Sequence, residues 1–269
     1  MYLYIYMKTI YYYQSFTGLS DILQEPSYTD VIIVSSLHFG KDSNNSTYIH
    51  LNNNIPTDKI FNKMWEEVEE LSTKNITIML MLGGAGGAYQ YFFDNYDKCY
   101  NLLIALIKSK KFIKGIDLDI EEAVDIKNVQ KLIKQLKNDL GNEFIITMAP
   151  VCESLLHDQS GMGDFIYKDL YNSEEGKLIE WFNTQSYGGS FTFETVDGIV
   201  KNKYPPEKIV MGMMSGDFDS TTFKNALTDV DKIKKKYPNF GGVFDWEYLD
   251  APPTKKPSDW AKLMKQYIE

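Results

Sequence analysis

The sequence predicts an α/β protein whose eight parallel strands close into a barrel, and three observations carry that expectation. Strand-like apolar runs recur eight times along the 269 residues. Segments of helical period lie between them, and such alternation implies parallel strands joined by crossover helices. The length also suits one α/β barrel, which typically takes about 250 residues. The expected fold is therefore a single (β/α)8 TIM barrel over residues 1–269. A doubly wound open sheet is the alternative.

The strands are expected at 8–16 (KTIYYYQSF), 30–39 (DVIIVSSLHF), 75–82 (NITIMLML) and 112–120 (FIKGIDLDI). Four more follow at 143–150 (EFIITMAP), 179–187 (IEWFNTQSY), 208–215 (KIVMGMMS) and 241–247 (GGVFDWE). β-Branched and aromatic residues, which fit a pleated surface, dominate these runs. Helical period is clearest at 57–74, 97–110 and 125–141, with further helices at 192–203, 221–237 and 257–269. Trp65 and Trp260 fall on these amphipathic helices and are expected in the core. The Asn-rich segment 40–56 (GKDSNNSTYIHLNNNIP) reads as a long loop after the second strand.

A hydrophobic fraction of 43% and a charged fraction of 24% are ordinary for a soluble domain. The net charge is -9, and all 28 basic residues are lysines. Recognition of nucleic acid or phosphate would therefore lack its usual bidentate guanidinium. Cys99 and Cys152 are far apart, and His38, His50 and His157 show no metal-ligand spacing. No disulfide, metal or cofactor is signalled, and these residues read as structural. The start MYLYIYMKTIYYYQSF is apolar but has neither a basic leader nor a small-residue cleavage site. It is also too short to span a bilayer. A monomer with no membrane or nucleic-acid partner, cytoplasmic or exported without a leader, is the expectation.

The run GIDLDIE (115–121) alternates acids with apolar residues. On a strand, a period of two places Asp117, Asp119 and Glu121 on one face, roughly 7 Å apart. The apolar residues belong under the helices, so the acids point into the barrel. Glu121 then lies nearest the C-terminal rim, where barrel enzymes carry their sites. Burying like charges so close is costly unless protons are shared or hydrogen bonds supplied. Such a row points to acid–base chemistry. A calcium loop also spaces acids by two, but its glycine is missing here. The Gly-rich MLGGAGGAYQ (81–90) fails the dinucleotide fingerprint. Gly83 and Gly84 either let a ligand approach the backbone or simply make a turn. In FNTQSYGG (182–189), Asn183, Gln185 and Tyr187 share strand parity, which fits a polar ligand. Trp246 ends the last strand at the rim, as a stacking platform for a sugar or as ordinary packing.

Together these residues carry a resemblance that covers essentially the whole chain. GIDLDIE resembles the D-G-x-D-x-D-x-E signature of glycoside hydrolase family 18, the chitinase and endo-β-N-acetylglucosaminidase family. MLGG occupies the place of its S-x-G-G, and TMAP (147–150) resembles its M-A-P strand. QSYG (185–188) and GGVFDW (241–246) are similar to its Q-x-Y-N and final strands. Lys114, Met81 and Gly188 depart from the family's usual Asp, Ser and Asn or Asp. The resemblance implies retaining hydrolysis with the sugar's own acetamido oxygen as nucleophile, an established exception to the two-carboxylate scheme.

On that resemblance Glu121 is the proton donor, and Asp119 orients the acetamide and stabilises its positive charge. Asp117 shares a proton with Asp119, and Tyr187 holds the attacking oxygen. Gln185, Trp246, Met148, Gly83, Gly84 and Asn183 would bind the sugar, with no metal or cofactor. A cation at Lys114 would favour the ionised state of Asp117. The implied substrate is a β-1,4-linked N-acetylglucosamine oligo- or polysaccharide, cut internally as a chitinase does. The alternatives are N-glycan cores and a non-catalytic lectin of the same fold. Glu121, typically absent from the family's non-enzymes, favours hydrolysis.

Overall fold

Nine strands form one sheet in the computed structural model, which describes residues 7–268. The opening MYLYIY, part of the apolar start, and Glu269 lie outside the described residues. The strands are β1 (Lys8–Tyr13), β2 (Val31–Lys41), β3 (Thr47–Leu51), β4 (Thr77–Gly83) and β5 (Ile113–Asp119). β6 (Ile145–Met148), β7 (Trp181–Gln185), β8 (Ile209–Met214) and β9 (Gly242–Trp246) complete the set. All but β3 pair in parallel with their neighbours, and β1 pairs with both β2 and β9. That double pairing closes the barrel and rules out the open sheet.

β3 is the exception, and it corrects the reading of 40–56 as a loop. It pairs antiparallel with β2, from Leu37 opposite Leu51 to Lys41 opposite Thr47. The signal was TYIHL, a β-branched and aromatic run between Asn clusters. The turn is made by Asp42, whose carboxylate accepts the N–H groups of Asn44 at 2.8 Å and Ser46 at 2.9 Å. Asn45 takes the left-handed conformation there, with φ 64°.

The helices are α1 (Ser20–Gln24), α2 (Asn62–Ser72), α3 (Tyr89–Asp94), α4 (Tyr96–Ser109) and α5 (Ile126–Leu140). They continue with α6 (Cys152–Leu156), α7 (Tyr167–Asn172), α8 (Phe193–Lys201), α9 (Ser220–Lys236) and α10 (Ser258–Ile268). The six expected helices are α2, α4, α5, α8, α9 and α10. The other four are too short for a 3.6-residue period to show in sequence. α5 illustrates the long ones: Val129, Leu132, Ile133 and Leu136 form its buried stripe. Its start is fixed by Asp125, which accepts the Lys127 N–H at 2.9 Å. Trp65 and Trp260 are buried in the layer between helices and barrel, as expected. No helix among the described residues is long and apolar enough to cross a membrane.

The core has two parts because each barrel strand has two faces. The larger part lies between strands and helices. The smaller fills the barrel, with Ile10, Val31, Trp181 and Phe244 among its buried side chains. In β5 the outward set is Ile116 and Leu118, both in the outer layer. Asp117 and Asp119 therefore turn inward, above the apolar floor.

Candidate active site

Asp117 is completely buried, and three donors surround it. Its Oδ2 accepts the Tyr12 hydroxyl at 2.8 Å, and its Oδ1 accepts Thr147 Oγ1 at 2.5 Å and Asn183 Nδ2 at 3.0 Å. Burial raises the carboxyl above its ordinary value, while the bonds from Thr147, Tyr12 and Asn183 pull it back. Asp119, two residues toward the mouth, is 5% exposed and has weaker support. Burial pushes it well above the carboxylate range, and the charges of Glu121 and Asp117 push the same way. Only the Gln185 hydrogen bond opposes them.

Glu121 lies just past the end of β5, half-buried at the rim. Gln185 joins it to Asp119: its Nε2 lies 3.1 Å from Asp119 Oδ1, 3.3 Å from Glu121 Oε1 and 2.9 Å from the Ala149 carbonyl. An amide has two N–H groups. Three acceptors therefore compete for two donors. Above them opens a cavity of about 350 Å³ lined by Asp119, Glu121, Gln185, Tyr187, Met81 and Trp246. The Tyr187 phenol is raised well above its usual range by burial and then by the charge of Asp119, so it remains an O–H donor. Trp246 packs against Tyr12 with ring centroids 5.3 Å apart.

The Gly-rich turn is shaped by its neighbour strand. Gly83 has φ +97°, and a Cβ there would lie 2.2 Å from the Asp119 carbonyl oxygen. The next residue, Gly84, donates its N–H to that same oxygen at 2.9 Å and lines the cavity. These glycines serve close approach of backbone to Asp119. Glu122 holds the far side of the turn, accepting the N–H groups of Ala88 and Tyr89.

Asp119, Glu121, Gln185, Tyr187, Trp246 and Gly84 thus converge on one cavity. Three expectations change. Met148 is completely buried in the outer layer, because Thr147 is its strand's inward residue opposite Asp117. Asn183 bonds Asp117 and accepts the Trp181 indole N–H at 2.9 Å, so it buttresses the acid below the cavity. Lys114 is exposed and bonds the Lys111 carbonyl at 3.0 Å. The pairing with β4 slips there, Ile78 facing Ile113 and Met79 facing Gly115. Lys114 is bulged out of the row and takes no part in its electrostatics.

Sequence reasoning missed Tyr12, Thr147 and Glu122, and also Gln14 and Ser36 at the cavity wall. The parity rule applied to TMAP would have found Thr147; nothing local marks the others. His157 is exposed beside Glu153, whereas His38 and His50 line a second chamber near the site. Cys99 and Cys152 are free and buried. Among the described residues no cluster of His, Cys, Asp and Glu could hold a metal.

A buried carboxyl whose surroundings oppose ionisation, a second carboxyl at the rim, and an amide within reach of both meet in the barrel mouth. Known proteins of similar sequence and shape share the frame. The structure is similar to that of a chitinase from Aspergillus fumigatus, with TM-score 0.84 and 28% identity over 98% of this chain and 100% of that one. A fungal endo-β-N-acetylglucosaminidase matches with TM-score 0.84 and 28% identity over 96% of each chain. In sequence, Chitinase 2 of Rhizopus oligosporus is 24% identical over 208 residues, 69% of this chain. The matched region spans 36% of that relative's length. Residues 8–267 match Glycosyl hydrolases family 18, and with the acid row on the strand that the family's signature requires, the chain belongs to that family.

Proposed function

We propose that the chain is an endo-acting, retaining hydrolase of β-1,4-linked N-acetylglucosamine polymers that uses the substrate's acetamide as nucleophile. The observation that carries this reading is the Gln185 amide shared between a buried Asp119 and a rim Glu121. Glu121 gives its proton to the glycosidic oxygen as the bond to C1 breaks. The acetamido carbonyl oxygen closes on C1, forming an oxazolinium ion. Tyr187 directs that oxygen, and Asp119 faces the acetamide N–H. As the acetamide becomes cationic, the ionised form of Asp119 is favoured, and its proton passes to Asp117, which leaves Glu121 free as the carboxylate. Glu121, now a carboxylate, takes a proton from the water that attacks C1. The ring opens with retained configuration.

A second reading, cleavage within N-glycan cores, draws equal support from the endo-β-N-acetylglucosaminidase likeness. Mass analysis of products from N-acetylglucosamine oligomers beside a high-mannose glycopeptide separates the two. Oligomer cleavage is expected. Cleavage of the glycopeptide alone would move the assignment to the second reading, and cleavage of neither would overturn both.

A further inference from the structure

Glu121 stands on a stretch of chain that the sheet no longer holds. The pairing of β5 ends at Asp119 opposite Gly83 on one side and at Leu118 opposite Met148 on the other. Among the described residues, Ile120, Glu121, Glu122 and Ala123 make no backbone hydrogen bond; the next is from the Val124 N–H to the Gly163 carbonyl at 3.0 Å. Strand parity therefore no longer fixes where the Glu121 carboxyl points. The side chains on either side of it do. Ile120 is buried in the outer layer, and bare Gly163 leaves it room, since a Cβ there would lie 3.1 Å from Ile120 Cγ2. Glu122 reaches the Gly-rich turn, where its Oε1 accepts the N–H groups of both Ala88 and Tyr89. Between these two anchors, Glu121 meets Gln185 Nε2 at 3.3 Å.

The far end of the Glu122 anchor is itself fixed. Ala88 and Tyr89 open α3, whose first N–H groups have no helical partner, and Ala88 has no side chain to cap them. Tyr89 is buried, and its hydroxyl donates to the Leu82 carbonyl of β4 at 2.7 Å. One residue earlier, the Gly87 carbonyl accepts His38 Nδ1 from β2 at 3.2 Å. The turn that Glu122 grips is thus bound to two barrel strands. Both N–H groups fall on a single oxygen of Glu122, so the grip needs a carbonyl-type acceptor and a chain of this length. Glu122 does not line the catalytic cavity, so it acts only through its neighbour.

We propose that Glu122 is a positioning residue for the general acid: its grip on the turn fixes residues 120–123 and aims the Glu121 carboxyl into the cavity. The proposal rests on the glycosidase reading and adds to it a residue that touches no substrate. A misplaced acid matters only where the leaving group needs its proton. The test therefore compares kcat/KM on an N-acetylglucosamine oligomer with kcat/KM on the 2,4-dinitrophenyl glycoside of the disaccharide, whose phenolate leaves unprotonated. Glu122→Ala should lose about tenfold to a hundredfold on the oligomer and less than about twofold on the dinitrophenyl glycoside. Glu122→Gln, which keeps the acceptor oxygen, should recover the oligomer rate. Glu122→Asp, one methylene too short for the same grip, should show the selective loss in milder form and decides the matter if Glu122→Ala does not fold. An equal loss on both substrates is the mark of fewer folded molecules and overturns the positioning role. No loss on either, or a Glu122→Gln variant no faster than Glu122→Ala, overturns it too. If the unsubstituted protein cleaves neither substrate, the glycosidase reading falls and the proposal with it, so the two failures are told apart by the parent.

Discussion

Gln185 Nε2 lies within hydrogen-bond reach of both Asp119 and Glu121, and the charge of Glu121 adds to the rise that burial imposes on the Asp119 carboxyl. Glu121→Gln keeps size and polarity but removes the transferable proton. Turnover is expected to fall roughly 10²–10⁴-fold, as general-acid loss usually does. Unchanged thermal stability with near-normal turnover would take the acid role from Glu121. The two aromatics of the cavity should separate in kinetics. Trp246→Ala removes a stacking face and should weaken substrate binding and raise KM, as a loss of uniform binding does. Tyr187→Phe removes only the O–H to which the proposed mechanism gives the task of directing the nucleophile, and should lower kcat with little change in affinity. Steady-state kinetics of both variants decide it, and a Tyr187→Phe variant that lost affinity but kept kcat would contradict this placement.

At the scale of elements, β5 and β9 each carry a buried acid whose environment opposes ionisation. On β9, Asp245 accepts the Ser215 hydroxyl at 2.8 Å through Oδ2, while its Oδ1 has no partner among the described residues. Burial pushes this carboxyl well above its usual range; the Ser215 bond opposes, and the charges of Glu247 and Asp250 add to the rise. A folded value above the unfolded one gives stability that is complete below the unfolded value, about 3.9, and is lost as pH rises through the folded one. Asp245→Asn lacks that loss. Its Tm relative to the unsubstituted protein should therefore climb between pH 5 and pH 9, and a constant offset in thermal melts would contradict the argument. The same elements show what sequence can and cannot tell. The acid row was legible because strand parity is local, and GIDLDIE states its own register. Tyr12 was not, because 105 residues separate it from Asp117 and only barrel closure brings them together. Lys114 was misplaced because a bulge breaks parity at one residue, and nothing in FIKGI announces it.

For the whole molecule, barrel closure completes the site: the inward residues of the neighbouring β5, β6 and β7 are joined by Tyr12 of β1 only because the eight parallel strands close. The eightfold recurrence made that legible, whereas the second chamber depends on a hairpin hidden in an Asn-rich stretch. The central claim is that this closed polar mouth positions the substrate's own acetamide as the nucleophile, with the protein supplying protons and alignment. The direct measurement compares kcat/KM on two matched aryl glycosides, one N-acetylated and one N-trifluoroacetylated at the reacting sugar. Fluorination leaves the glycosidic bond in place but makes the acetamido oxygen a far poorer nucleophile. The account predicts a rate loss of at least about a hundredfold, near 2.7 kcal/mol of barrel-mouth chemistry. Equal rates on the two substrates would contradict it, because the nucleophile would then have to come from the protein or from water.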